Sequence, residues 1–362
     1  MFNLFKKAFG LDISDFSIEF VSLTGSFEKP RLLAMGRILL EPNIVEDGKI
    51  LNKETLRKKL EDLIRSPKFG KLKTNLFVFS LPESRIFVNL CQIPNTLKKK
   101  EELDFIKSEA CQILPASFSE LYFDFEIIRK KDLREALLVA APKNIVNDYL
   151  EVFRNLKLQP IALEIESLSL GRSLIQDSPE PVLIVDVGAR TTNFSIFDSG
   201  RLRFSYTIDV AGNKFTISLA DGLGISLSEA ESLKKRKGLD PGAKRGKSFL
   251  ILQRDIQVIV LEIRNIEEYF QKKEKKEIKK IVLAGGSAML PFLPQYLEDN
   301  LAKPVIIGDP WPKINIDILK KKEYFEKALE INPALYSTCI GSAMRGLLKN
   351  PRKTGINLVF HR

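Results

Sequence analysis

Apolar positions change their period several times along this chain of 362 residues, and each change marks an element. Leu11–Leu23 alternates as a strand does, with a break at Ser14-Asp15. Arg31–Leu40 predicts another strand, followed by a turn at Pro42-Asn43. Leu56, Leu60, Leu63 and Ile64 recur at helical spacing, which predicts a helix over Asn52–Arg65 with Asn52 as its N-cap. Asn75–Ser80 is a third strand, ended at Pro82. The first 82 residues therefore predict β-β-α-β or a close variant.

A block of different character begins at Ile86–Cys91. Leu97–Leu114 reads as a charged amphipathic helix stopped by Pro115. Tyr122–Ile128 and Glu135–Ala140 predict a hairpin, Asn144–Asn155 a helix and Ile161–Glu166 a strand. Together they suit an inserted α+β subdomain. The pattern resets at Pro181, where Val182–Val187, Thr192–Phe197 and Arg203–Ile208 are strands joined by turns at Gly188 and Gly200. Helical stretches follow from Asn213 to about Lys237, then a loop at Asp240–Lys247 and a long helix over Ser248–Glu274. Ile281–Leu283 is a short strand leading into Ala284-Gly-Gly-Ser-Ala-Met289; Leu293–Leu301 is helical, Val305–Gly308 a strand and Leu335–Leu348 a final helix. The β-turn-β at residues 11–23 echoes the one at 182–197. Two related α/β halves with a cleft between them would bring the two turns face to face.

Composition narrows the function. Apolar residues make up 44% and charged residues 28%, as in ordinary globular proteins. A formal charge of +11 favours acidic partners: a nucleotide, anionic lipid or an acidic protein. No helix-turn-helix, zinc or RNA-binding aromatic pattern accompanies the charge, so nucleic acid is not expected. Cys91, Cys111 and Cys339 sit in apolar settings and read as reduced core cysteines of a cytosolic protein. His361, the single histidine, argues against histidine catalysis and most zinc sites. No apolar run reaches the ~18 residues of a membrane span. Met1–Phe9 reads as a packed or frayed end, with a membrane-surface contact as the alternative.

Candidate chemistry gathers at three turns and one helix. Asp186, Gly188, Ala189, Arg190, Thr191 and Thr192 form a strand-turn-strand segment. Its glycine can take a positive φ, its backbone N–H groups and hydroxyls suit a phosphate, and its acid suits a magnesium-bound water. An ordinary hairpin is the competing reading. Asp12, Ser14, Asp15 and Phe16 occupy the echoing turn, with Asp12 as a second carboxylate for magnesium. Gly285, Gly286, Ser287 and Ala288 follow a strand and precede a helix, where small residues let the chain pass under a flat ring. Glu231 and Lys234 share one helix face and could grip a ribose and cover an adenine, although such pairs are usually solvated. Lys272–Lys280 reads as a solvated charge run, with acidic lipid or an acidic partner as the alternative, and Trp311 as a loop anchor.

The order of these pieces resembles the actin-like ATPase superfamily and, within it, the type IV pilus assembly protein PilM family, related to the cell-division protein FtsA. The resemblance covers nearly the whole chain. Phe9–Glu19 is similar to the first phosphate motif and Val185–Asn193 to the second. Asp209–Thr216 with Ile225–Lys234 resembles the stretch that grips the nucleoside, which adds Gly212 and Asn213 to the candidates. Val282–Pro291 resembles the adenosine motif, Ser337–Gly346 the second connecting helix, and Glu109–Pro115 a signature in the inserted subdomain. This implies an α/β fold of two ribonuclease-H-like halves. The expected divisions are 1–83, an insert over 84–162, a return helix over 163–178, a second half over 179–210 and 275–335, its subdomain over 211–274, and a closing helix and tail over 336–362.

The resemblance also implies ATP or ADP with Mg2+, held by Asp12 and Asp186, and a scaffolding role in pilus assembly. The partner would be the tail of a PilN-like inner-membrane protein, so that the chain sits in the cytoplasm, peripheral at that membrane. Nucleotide would bias cleft closure; further copies or other pilus proteins are additional partners. Two departures weaken hydrolysis. Ser14 replaces a glycine, with Asp15 beside it to repel phosphate, and Ala211-Gly212 replaces Gly-Gly. No catalytic residue is assigned. The alternatives are an FtsA-like filament protein and a small-molecule kinase on the same superfold. In the family the PilN motif reads Ile-Asn-Leu, and this chain carries Gly355-Ile-Asn-Leu-Val-Phe360. The match predicts a tail that mimics the ligand in its own or a neighbour's groove, against a frayed end or a locally paired strand.

Overall fold

The broken alternation near the start of the chain is a hairpin. In the computed structural model, which describes residues 7–114, 116–130, 133–175 and 178–359, β1 (Phe9–Ile13) pairs antiparallel with β2 (Ser17–Gly25). β3 (Pro30–Leu39) continues the meander, and β4 (Val45–Glu46) and β5 (Lys49–Ile50) make a small separate hairpin. In α1 (Lys53–Arg65) the helical-period leucines Leu56, Leu60 and Leu63 are buried, and Asn52 caps the helix by accepting from the Thr55 N–H at 2.9 Å. β6 (Phe69–Gly70) and β7 (Leu76–Leu81) follow, with Pro82 ending the strand.

The insert is a three-stranded antiparallel sheet with two helices: β8 (Phe87–Ile93), α2 (Glu102–Ile113), β9 (Leu121–Lys130), β10 (Leu133–Pro142) and α3 (Lys143–Asn155). β10 lies in the middle of the sheet. α2 starts later than its charge pattern predicts, because Lys98–Glu101 forms a turn first, closed by the Glu101 N–H on Lys98 O at 2.8 Å. Its Glu102 is buried and gripped by Arg129 and Arg134 at 2.6 and 2.7 Å. Pro115, expected to stop this helix, lies outside the described residues. Cys91 and Cys339 are buried, but Cys111 is exposed, because position 111 falls on the solvent face of α2.

β11 (Gln159–Ile165) returns to the first sheet parallel to β7, giving the order β11-β7-β1-β2-β3-β6, and α4 (Glu166–Leu174) follows. The next strands, β12 (Val182–Val187), β13 (Thr192–Asp198) and β14 (Arg201–Ile208), form a second meander. After them come α5 (Gly212–Leu223), α6 (Leu227–Lys237), α7 (Lys247–Glu274), β15 (Lys280–Ala284), α8 (Leu293–Leu301) and β16 (Val305–Ile307). This sheet has the order β14-β13-β12-β15-β16, with β12, β15 and β16 parallel. Its core joins Leu183, Val185 and Phe194 to Phe215 and to the inward stripe of α7, Ile256, Ile259, Val260, Ile263 and Ile266. The internal echo is therefore topological: β3-β2-β1-β7-β11 and β14-β13-β12-β15-β16 have the same order and the same directions.

The chain divides into one unit of Met1–Ser173 and Pro310–Arg362 and a second of Leu174–Asp309. Residues 310–335, expected in the second half, belong to the first unit. The Asn315 N–H donates to Pro30 O, Asn315 O accepts from the Leu32 N–H, and Ile314 and Leu319 are buried with Val21 and Leu23. Trp311 packs against that cluster as an anchor. α9 (Phe325–Leu329) is short, and α10 (Ser337–Arg345) is buried at every position except Thr338. A Cβ at Gly10 of β1 would lie 1.9 Å from Cys339 O, and one at Gly341 would lie 1.9 Å from Ser169 O, so both contacts require glycine.

Candidate functional site

Beyond the parallel pair β12 and β15, the chain turns twice, and these turns carry the candidate residues of the second unit. Such carboxyl ends are where open α/β sheets bind ligands. The Gly188 N–H donates to Thr191 O at 3.0 Å, closing the turn Gly188-Ala189-Arg190-Thr191. Gly188 does not use a positive φ; its glycine spares a Cβ that would sit 3.1 Å from Thr191 O. Its carbonyl accepts from Ser287 Oγ at 2.8 Å and from the Gly212 N–H at 3.2 Å, and the Asn213 N–H donates to Ala189 O at 2.7 Å. The start of α5 and the turn after β15 are thus stitched to the turn after β12.

Gly285 is where the geometry demands glycine. Its φ is +81°, and a Cβ would fall 2.3 Å from Asp186 Oδ1 and 2.5 Å from Val187 O. The Asp186 carboxylate therefore lies against bare backbone. Gly286–Met289 is a short 3-10 turn, and α8 begins only at Leu293, so no α-helix N-terminus stands at Gly285–Ala288 as expected. Thr192 is fully buried and its hydroxyl donates to Val210 O at 2.6 Å, which commits it to the frame.

Glu231 and Lys234 are not an ordinary solvated pair. Lys234 is buried and its ammonium donates to Gly212 O and Thr216 Oγ1, both at 2.8 Å, and pairs with Glu231 at 2.7 Å. Thr216 Oγ1 in turn donates to Glu231 Oε2 at 2.5 Å. Burial alone would raise the Glu231 pKa, but the Lys234 and Thr216 hydrogen bonds hold it down at about 2. Thr216 had not been singled out; its place one turn after Gly212 on α5 was the available signal. The Lys272–Lys280 run is also partly engaged: Lys276 pairs with the buried Asp198 at 2.7 Å.

The turn of the first unit has the same frame and a different lining. The Ser14 N–H donates to Ser17 O at 2.9 Å. Ser14 Oγ accepts from the N–H groups of Ser17 and Phe16, at 3.0 and 3.2 Å. Asp15 reaches away to β4 and β5, accepting from the Asp47 and Gly48 N–H groups at 2.8 and 3.2 Å. Phe16 is exposed. Asp12, one residue before the end of β1, is in register with Glu19 and Ser80 and helps to raise the Cys339 thiol pKa, after burial as the main cause. Among the described residues no three His, Cys, Asp or Glu side chains group as a metal cage, and no helix is long and apolar enough to cross a membrane.

The model of the type IV pilus assembly protein PilM family matches residues 10–347. The chain belongs to that family. Within it, the arrangement is close to a solved PilM-PilN type IV pilus biogenesis complex, with a TM-score of 0.79, 20% identity, and coverage of 95% of this chain and 99% of that one. MreB 5 of Spiroplasma citri bound to AMPPNP is similar at a TM-score of 0.52 and 14% identity, covering 93% and 95%. The fold is accordingly the actin-like ATPase fold. The cell division protein FtsA of Agrobacterium fabrum is 28% identical over 188 residues, 45% of this chain and 42% of the relative. The chain thus spans about two-fifths of the length of the curated relatives it matches.

Proposed function

We propose that this protein is an ATP- or ADP-binding scaffold of type IV pilus assembly that docks a PilN-like membrane-protein tail and so works peripherally at the inner face of the membrane. One observation carries the nucleotide half: Asp186, Gly188, Gly212, Thr216, Glu231, Lys234, Gly285 and Ser287, from four segments far apart in sequence, are tied together beyond β12 and β15. The donor set fits a nucleotide with magnesium. Bare backbone at Gly188 and Gly285 admits a polyphosphate, and Asp186 is a carboxylate for a metal that keeps most of its waters. In this reading the Gly188–Thr191 turn takes the phosphates, with Arg190 and Asn213 at its rim. Glu231, held anionic, accepts from ribose hydroxyls, with Lys234 fixing its position. Gly285–Ala288 lies under the base. Asp12 is the corresponding carboxylate of the first unit. Magnesium bound there would neutralise phosphate charge. The PilN-like partner is supported by the family and by the PilM-PilN likeness.

Mass spectrometry of the small molecules that copurify with the chain, followed by calorimetry with MgATP and MgADP, tests the first half. Copurified adenine nucleotide, or micromolar binding lost in Asp186→Ala, is expected. No binding of either nucleotide to the folded chain defeats the reading. For the second half, a peptide of the partner's cytoplasmic tail should bind saturably in fluorescence polarisation, and no binding at millimolar chain would remove the partner.

A further inference from the structure

The segment after α10 is neither frayed nor a simple strand. Ile356 and Leu358 are completely buried and Asn357 is 2% exposed, although the stretch lies near the end of the described chain. The three residues sit along β11, the outer strand of the first sheet, and beside β9 of the insert. Ile161 and Leu163 are alternate residues of β11, and alternate residues of a strand turn their backbone groups to the same edge. Asn357 reads that edge with its side chain. Its Oδ1 accepts from the Leu163 N–H at 3.1 Å and its Nδ2 donates to Ile161 O at 3.2 Å. The Leu358 N–H donates to Leu163 O at 3.0 Å, and the Asn357 N–H to Asp124 Oδ2 at 2.7 Å. Arg345, itself paired with buried Glu164 at 2.6 Å, donates to Ile356 O at 2.6 Å.

This is how a peptide ligand is held: a backbone bond to a sheet edge, one buried side chain reading register, and apolar residues on both sides. The segment is joined to α10 by the largely exposed stretch 349–355, with Gly355 at φ +70°. It is therefore free to leave without unwinding any helix or strand. We propose that residues 355–359 are a displaceable ligand held in cis, and that their release opens the β11 edge to an extended apolar-Asn-apolar segment presented in trans by the membrane partner. This rests on the scaffold reading for the identity of that partner. A tethered ligand competes at an effective concentration on the order of millimolar, so a trans segment binds more weakly than the groove itself allows.

The test uses the full chain, unsubstituted and as Asn357→Ala. The probe is a fluorescent peptide of the chain's own sequence, Thr-Gly-Ile-Asn-Leu-Val-Phe. The peptide should bind the variant at least ~10-fold more tightly than the unsubstituted chain, and a peptide with alanine for asparagine should bind neither. Equal affinities in two folded chains, or no binding to either, overturn the proposal. Should the variant fail to fold, hydrogen exchange on the unsubstituted chain decides. With excess peptide the Asn357 and Leu358 amides should exchange faster while Leu163 stays protected, and unchanged tail exchange overturns it. A partner-tail peptide that binds both chains equally leaves the scaffold standing and defeats the cis ligand. An own-sequence peptide that binds the variant where the partner peptide binds neither defeats the scaffold instead.

Discussion

The two hairpin turns share one frame and differ in what fills it. In each, the first residue's N–H closes on the fourth residue's carbonyl, at 2.9 Å for Ser14 to Ser17 and 3.0 Å for Gly188 to Thr191. Each follows the central strand of the five-strand order that the two sheets share. In the first turn, however, the Ser14 hydroxyl takes two of the turn's own amides, and Asp15 is drawn off to the β4–β5 hairpin. Gly188 and Ala189 have no side chain able to do this. The Gly188 carbonyl instead recruits Ser287 and Gly212 from other segments. A turn whose amides are satisfied internally has less to offer an anion. On the proposed reading, nucleotide would therefore be held chiefly by the second unit.

The sharpest way to break this asymmetry is Gly285→Ala. The added methyl meets Asp186 Oδ1 at 2.3 Å and requires a left-handed φ. Nucleotide affinity should fall by about 100-fold or more, with a stability loss of about 2 kcal/mol. Calorimetry and thermal melting check both. A variant that binds nucleotide normally would remove the turn after β15, and the Asp186 carboxylate against it, from the site.

Lys234→Met comes next. It removes the ammonium from Gly212 O, Thr216 and Glu231 while keeping the side chain's bulk, and should cost about 2 kcal/mol and ten-fold or more in affinity. Its pH signature is specific. Glu231 is depressed from its usual 4.5 to about 2, so its contribution is complete above pH 4.5 and lost as pH falls from there towards 2. In the unsubstituted chain, stability should not change with this group between pH 5 and 8. In the variant, the acid limb of a stability–pH profile should move to higher pH, and an unmoved limb would mean that Lys234 does not hold Glu231.

Asp15→Ala probes the other turn. Losing two N–H partners should lower the stability of the first unit by about 1–2 kcal/mol and speed proteolysis around 42–52, with nucleotide affinity unchanged. A marked change in affinity would mean that Asp15 acts on the nucleotide rather than on the hairpin.

How much of this was legible follows from the range of the forces involved. The strands and helices of the second unit were readable because local alternation and period decide them, as at Val182–Val187 and along α7. The candidate residues were readable as turns, but their division of labour was not. That Asp15 turns to Gly48, that Thr192 serves Val210, and that Lys234 is buried under Gly212 are each set by a segment distant in sequence. The unit membership of 310–335 failed for the same reason, since two backbone hydrogen bonds from Asn315 to the β3 region decide it. At the tail, the triplet Ile356-Asn357-Leu358 was visible as a pattern. Its burial was not, because a three-residue segment has no periodicity and depends wholly on the edge that receives it.

Ser14→Gly is the smallest change and the most direct test of the comparison. It gives the first turn the residue that the second has and releases the amides of Phe16 and Ser17 from the hydroxyl that now takes them. The turn keeps its closing bond, because that bond is backbone to backbone. Glycine adds chain entropy to the unfolded state, so stability should fall by about 0.5–1 kcal/mol. If the internal hydroxyl is what disqualifies the first turn, nucleotide affinity should nevertheless rise about three-fold, by titration of MgADP at constant pH. If affinity instead falls along with stability, Ser14 itself serves the ligand, and the two turns are closer in function than their hydrogen bonds suggest.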